Sequence, residues 1–176
     1  MSEFPRVPNP VANAYRPATS ELARQAFEYR KKEGMLTPAK LSVYNVAVFK
    51  IVNGGRIDYI TRRNRTIAEL NAQHGAASDP RLGIGFHSEM LAADEFKLNP
   101  KYKDWTVVEI FTERTPCQDI CKSSMAREFS GVPIYAYITR NSKLDAQGNA
   151  EALMMAYGVW AEYKASRAKV TGPGQR

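Results

Sequence analysis

Residues 43–52, VYNVAVFKIV, followed by Asn53-Gly54-Gly55, constrain this chain more than any other stretch. The run is rich in Val, Ile, Phe and Tyr, residues that suit a pleated, half-buried surface, so it reads as a strand. Asn and Gly tolerate the positive φ of a tight reversal, so the chain should turn and return as a second strand over Ile57–Thr61. A further segment, WTVVEIFT at Trp105–Thr112, is strongly β and reads as a central strand. Ile134–Ile138 reads as another.

Helical patterns alternate with these strands. Ser20 can cap a helix that runs to about Lys32, with Glu21 in its first turn and Gly34 beyond its end. A short helix fits Ile67–Gln73, and a longer one fits His87–Leu98. Another is expected to start at Pro116. The last spans Ala150–Arg167, where Leu153, Tyr157, Trp160 and Ala161 repeat at helical spacing. The order is helix, strand, strand, helix, strand, helix, strand, helix. That order predicts an α/β layered domain: an antiparallel hairpin first, then strand-helix crossovers that favour parallel pairing.

The 176 residues suffice for one domain with a core. Residues 1–19, with Pro5, Pro8, Pro10 and Pro17, read as an extended arm or linker, or as an ordinary ragged terminus. Residues 20–170 read as the domain and 171–176 as a frayed tail. No apolar run approaches a membrane span, since Asn45 and Lys50 interrupt even the most apolar stretch. No signal-peptide pattern is expected at the start. The net charge of +7 favours a polyanionic partner such as nucleic acid or an anionic membrane face, or marks a merely basic protein.

The chemistry-bearing residues are few. There are two histidines, His74 and His87, and two cysteines, Cys117 and Cys121. One close pair in a chain of this length is not a disulfide scaffold. Thr115 fits an N-cap, Pro116 the first helical position, and Gln118, three residues after Thr115, the far end of a capping box. Cys117 and Cys121 are then one turn apart on one helix face, with Cβ atoms roughly 5–6 Å apart. The helix N-terminus favours their deprotonation. His87 stands two residues before Glu89 at a loop-to-helix junction. His87, Cys117 and Cys121 make three zinc ligands and leave a fourth position for water, the open arrangement of a catalytic zinc. Glu89 can carry protons there without being a ligand. His74 reads as a surface histidine in a polar loop.

His87-x-Glu89 followed by Pro116-Cys117-x-x-x-Cys121 resembles the signature of the zinc-dependent cytidine and nucleic-acid deaminase superfamily. The likeness covers roughly residues 40–165. The cysteines are spaced CxxxC rather than CxxC. The wording HSE and, later, TERTPC is similar to the bacterial polymorphic-toxin deaminases, the XOO-type group among them. The resemblance implies a cytidine-deaminase-like three-layer fold with a mixed sheet of about five strands flanked by helices, although VTGPGQR is a poor last strand. In that superfamily each half of the motif opens a helix, and the two helices pack side by side.

The resemblance further implies Zn2+ as cofactor, Glu89 as the catalytic acid–base, and cytosine in nucleic acid, DNA first, as substrate. It implies a toxin domain secreted as part of a larger protein and active in a recipient's cytoplasm. Residues 1–19 would then be a linker, and a cognate immunity protein would be a partner. A free cytidine or adenosine deaminase, or an RNA deaminase, is the alternative. Arg62, Arg63 and Arg65, with Tyr59 and Phe86, read either as a phosphate-contacting edge with a base-stacking aromatic or as a solvated charged loop. Arg114 either faces the cleft or pairs with a carboxylate.

Overall fold

The computed structural model describes residues 21–66, 68, 69, 72, 87–114, 121–138 and 146–157. The expected arm over residues 1–19 and the tail over 171–176 lie outside these residues, as do most of the expected short helix near residue 70 and His74. The described elements are α1 (Glu21–Lys32), α2 (Pro38–Val43), β1 (Val46–Asn53), β2 (Arg56–Arg63), α3 (Ser88–Leu98), β3 (Thr106–Arg114), α4 (Cys121–Glu128), β4 (Ile134–Ile138) and α5 (Ala146–Ala156).

Among the described residues the strands form one mixed sheet of four, in the order β2-β1-β3-β4. The hairpin forms as its turn residues require. Val46 pairs with Arg63 and Asn53 with Arg56, and Gly54 adopts φ +59° between them. β1 is antiparallel to β3, and β3 is parallel to β4. WTVVEIFT is therefore an interior strand, as its composition predicts. The register slips between Lys50 and Ile51, which lets Val107 and Ile110 point to the same side.

Helices cover both faces. One face of the sheet packs Val46, Val48 and Phe111 against Leu22 and Ala26 of α1, Leu41 of α2, and Leu153 and Met154 of α5. The other packs Phe49, Ile51, Ile60 and Ile110 against Met90, Ala92 and Ala93 of α3 and Met125 of α4. Strand alternation sends neighbouring residues to opposite faces. Each cluster is thus built from every second residue of β1.

Two boundaries differ from expectation by three residues or more. Val43 does not begin the strand: it ends α2 and is half exposed, at 51%. Thr37 in extended conformation followed by Pro38 starts a short helix there, and this local start overrides the β preference of the residues after it. The last helix begins at Ala146 rather than Ala150 and is described to Ala156, with Leu153 and Tyr157 buried as its spacing predicts. Trp160 and Ala161 lie outside the described residues.

A buried ion pair ties the first face together. Arg30 of α1 and Glu113 of β3 are both wholly buried and meet in a bidentate fork, Nε–Oε2 2.7 Å and Nη2–Oε1 2.8 Å. The other guanidinium protons go to the backbone carbonyls of Met35 (2.8 Å), Lys40 (3.4 Å) and Tyr44 (2.6 Å). Glu113 also accepts from the Val46 N–H at 2.8 Å and from the Tyr157 hydroxyl. All five N–H donors of Arg30 are engaged, and each Glu113 oxygen has two donors. Burial alone would lower the Arg30 pKa, but the attraction of Glu113 raises it above the ordinary arginine value. Removing one partner of such a pair leaves an uncompensated buried charge. Glu113→Ala is therefore expected to cost about 3–5 kcal/mol in urea unfolding. Tyr157→Phe, which removes one hydrogen bond to a charged group, is expected to cost about 1.5–3 kcal/mol in the same measurement.

Candidate active site

β1 is antiparallel to both of its neighbours, so β2 and β3 run in one direction, and β4 is parallel to β3. Three strands therefore end at the same edge of the sheet, at Arg63, Arg114 and Ile138. α3 follows β2 in the chain and α4 follows β3. Their last turns meet: Lys97 Nζ lies 2.9 Å from Glu128 Oε2, and the Phe96 and Phe129 rings are 6.3 Å apart. α3 begins at the carboxyl end of the sheet, where Ser88 and Glu89 meet Asn45 and Thr112. In open α/β sheets that end is where ligands bind.

His87 is the N-cap of α3, in extended conformation, and its carbonyl accepts the first helical bond from Leu91 N–H at 3.0 Å. Its imidazole makes no capping hydrogen bond. Glu89 follows within the first turn, where a helix favours negative charge. Glu89 is only 4% exposed. A buried carboxylate needs donors, and three polar side chains supply them. Thr112 Oγ1 of β3 lies 3.0 Å from Oε1, Ser88 Oγ 3.0 Å from Oε2, and Asn45 Nδ2 3.4 Å from Oε1. Asn45 also donates to Ser88 Oγ at 2.8 Å and to Thr112 Oγ1 at 2.9 Å, while its Oδ1 accepts the Arg114 N–H at 3.0 Å.

Asn45, Asn64, His87, Ser88, Glu89 and Arg114, with Val43, line a cavity of about 160 Å³. Arg114 comes to the cleft, and its Nη2 donates to the Leu41 and Ser42 carbonyls at the end of α2.

The structure thus brings together His87, Glu89 and Arg114. The helix expected from Pro116 is described from Cys121 onward. Cys117, Thr115, Pro116 and Phe86 lie outside the described residues, as does the side chain of Cys121. Among the described residues no group of three His, Cys, Asp or Glu side chains gathers that could hold a metal ion. The expected donor set, one imidazole and two thiols, nonetheless has the composition of a zinc site. Of that set the structure places His87, beside Glu89 and Arg114 in the cavity at the carboxyl end of the sheet.

Tyr59 does not belong to this group. It lies four residues before Arg63, about 13 Å back along β2. It packs on the opposite face against the α1 layer, where its hydroxyl donates to Glu21. Strand alternation is the reason: Ile60, not Tyr59, faces α3.

Arg62, Arg63 and Arg65 line a neighbouring groove of about 890 Å³ together with Glu69, Asp94 and Glu95. Arg62 pairs with Glu95 at 3.3 Å. Arg63 holds Glu69 in a fork at 2.8 and 3.0 Å and lies 4.5 Å above the Tyr44 ring. Asn99 and then Arg62 hold Glu95 below the usual carboxylate range.

Asn45, Ser88, Thr112 and Asn64 were not anticipated as site residues. One signal was present, because Asn45 is a polar interruption of the most apolar run in the chain. Comparison of the chain with protein-family models, with curated proteins and with solved structures finds no match.

The Arg63 fork and the Thr66 N–H bring Glu69 down to about 2 from its ordinary 4.5. A depressed carboxylate contributes stability above its unfolded pKa, and the contribution is lost as pH falls from about 4.5 through about 2. The pair is partly exposed, so its effect on overall stability is small. Carboxyl-carbon NMR is expected to place the Glu69 midpoint near 2 in the native chain. In Arg63→Gln the midpoint should rise toward the ordinary range. An unmoved midpoint would show that the fork does not hold in solution.

Proposed function

We propose that this chain is a zinc-dependent deaminase that converts cytosine to uracil in nucleic acid, DNA first, on a cytidine-deaminase-like fold. The observation that carries the reading is a buried glutamate, Glu89, held on hydroxyl and amide donors in the first turn of the helix that His87 caps. Support comes also from the antiparallel hairpin followed by a strand-helix crossover, and from two helices on one face of the sheet whose last turns meet. The charge of +7 agrees with a polyanionic substrate.

His87, Cys117 and Cys121 would hold the zinc, which when bound lowers the pKa of a water and supplies a nucleophile near neutral pH. Glu89 takes a proton from water at its carboxylate and returns it to the ring nitrogen and the departing amine. The balance is cytosine plus water giving uracil plus ammonia, with addition at C4 and loss of the exocyclic nitrogen. Asn45, Thr112 and Ser88 keep the carboxylate in reach of that position. The Pro-rich arm and the TERTPC wording favour a toxin domain carried by a larger secreted protein, with an immunity protein as its partner.

A second reading keeps the chemistry and takes a free nucleoside or nucleotide. The pairing of Arg62 with Glu95 and Arg63 with Glu69 favours it, because these arginines are already engaged by carboxylates.

The test is uracil formation in labelled single- and double-stranded DNA, scored by strand cleavage after uracil glycosylase treatment. Zinc content and turnover of RNA and free cytidine are measured beside it. Glu89→Ala is expected to lower the rate by about 10²–10⁴-fold with zinc retained. Rates on DNA that fall steeply with salt support the polymer reading, because each phosphate contact releases counterions. Salt-insensitive turnover of free cytidine favours the second reading. Zinc-loaded protein that forms uracil in none of these substrates defeats both.

A further inference from the structure

The hydrogen bonds around Glu89 assign proton positions as well as distances. The Arg114 N–H can only donate, so the Asn45 atom facing it at 3.0 Å is the carbonyl oxygen. The Asn45 amide nitrogen must then face the other way, toward Ser88 Oγ at 2.8 Å and Thr112 Oγ1 at 2.9 Å, with Glu89 Oε1 farther off at 3.4 Å. Each hydroxyl accepts from Asn45 and keeps its own proton to give. Ser88 gives it to Glu89 Oε2 at 3.0 Å. Thr112 has one proton and two acceptors at the same distance, Glu89 Oε1 and the Arg114 carbonyl, each 3.0 Å away.

Asn45 donates to the Thr112 hydroxyl and the Arg114 carbonyl flanks it, so this oxygen is fixed beside Glu89 Oε1.

We propose that Asn45 and Thr112 are positioning residues for Glu89. Asn45 orients both hydroxyls toward the carboxylate. The Thr112 hydroxyl, fixed between Asn45 and the Arg114 carbonyl, holds Glu89 Oε1 beside β3. The catalytic meaning of this device rests on the deaminase reading above; its geometry does not.

The test compares Thr112→Val, nearly the same shape without a hydroxyl, with Thr112→Ser, which keeps the hydroxyl. Crystal structures of both are determined, and kcat and KM of the zinc-loaded proteins are measured on a cytosine-containing single-stranded DNA. In Thr112→Val the Glu89 carboxylate is expected to leave its site beside β3. A misplacement of about 1 Å can cost about 100-fold, so kcat should fall by up to that factor with KM little changed. Thr112→Ser is expected to retain the carboxylate position and most of kcat. An unmoved carboxylate in Thr112→Val, an unchanged kcat, or a Ser variant as impaired as the Val variant overturns the proposal. If Thr112→Val does not fold, the Ser variant decides alone: a displaced carboxylate or a lost kcat overturns it. If the wild-type protein forms no uracil, the deaminase reading fails, and the carboxylate positions still decide whether Thr112 holds Glu89.

Discussion

The Arg30–Glu113 pair is the interaction on which the rest of this structure depends. Two charges removed from water are tolerated only when the remaining donors and acceptors also find partners. Here they do, and the partners come from every element of one face. Arg30 belongs to α1, the carbonyls of Met35, Lys40 and Tyr44 flank and enter α2, Val46 opens β1, and Tyr157 follows α5. One carboxylate on β3 thereby fixes where α2 ends and where β1 begins.

That placement reaches the other face through strand geometry. Glu113 and Thr112 are neighbours on β3, so their side chains leave the sheet on opposite sides. With Glu113 locked into the α1 layer, Thr112 faces α3 and meets Glu89. Asn45 directly precedes Val46, whose N–H the pair holds, and it bridges Thr112, Ser88 and Glu89. The clamp and the candidate site share a backbone junction. A defect in the clamp should loosen the site before it unfolds the sheet.

Much of the architecture was legible in order along the chain. The hairpin follows from Asn53-Gly54-Gly55, the interior strand from WTVVEIFT, and the α3 start from the junction at His87. These are local signals, carried by residues within a few positions of one another. The α2 helix was missed because it is six residues long and is followed by β-forming residues. Tyr59 was misplaced because sequence proximity to the arginines says nothing about the face a strand presents.

His87 and Glu89 were visible as a pair because two residues of that chemistry two positions apart, at a helix start, form a pattern in one dimension. The chain alone determined the alternation of strand and helix, the hairpin, and which few residues could do acid–base or metal chemistry. Folding decided which groups surround the carboxylate. Asn45, Thr112 and Ser88 are separated by as many as 67 residues, and no spacing rule connects them. They meet because β1 and β3 pair side by side and α3 packs across them. The same packing engaged Arg62 and Arg63 with Glu95 and Glu69, turning charges that read as free in the sequence into ion pairs of the fold. Partners for a buried charge or a side-chain proton are chosen by distance in space, and that distance exists only once the sheet has assembled.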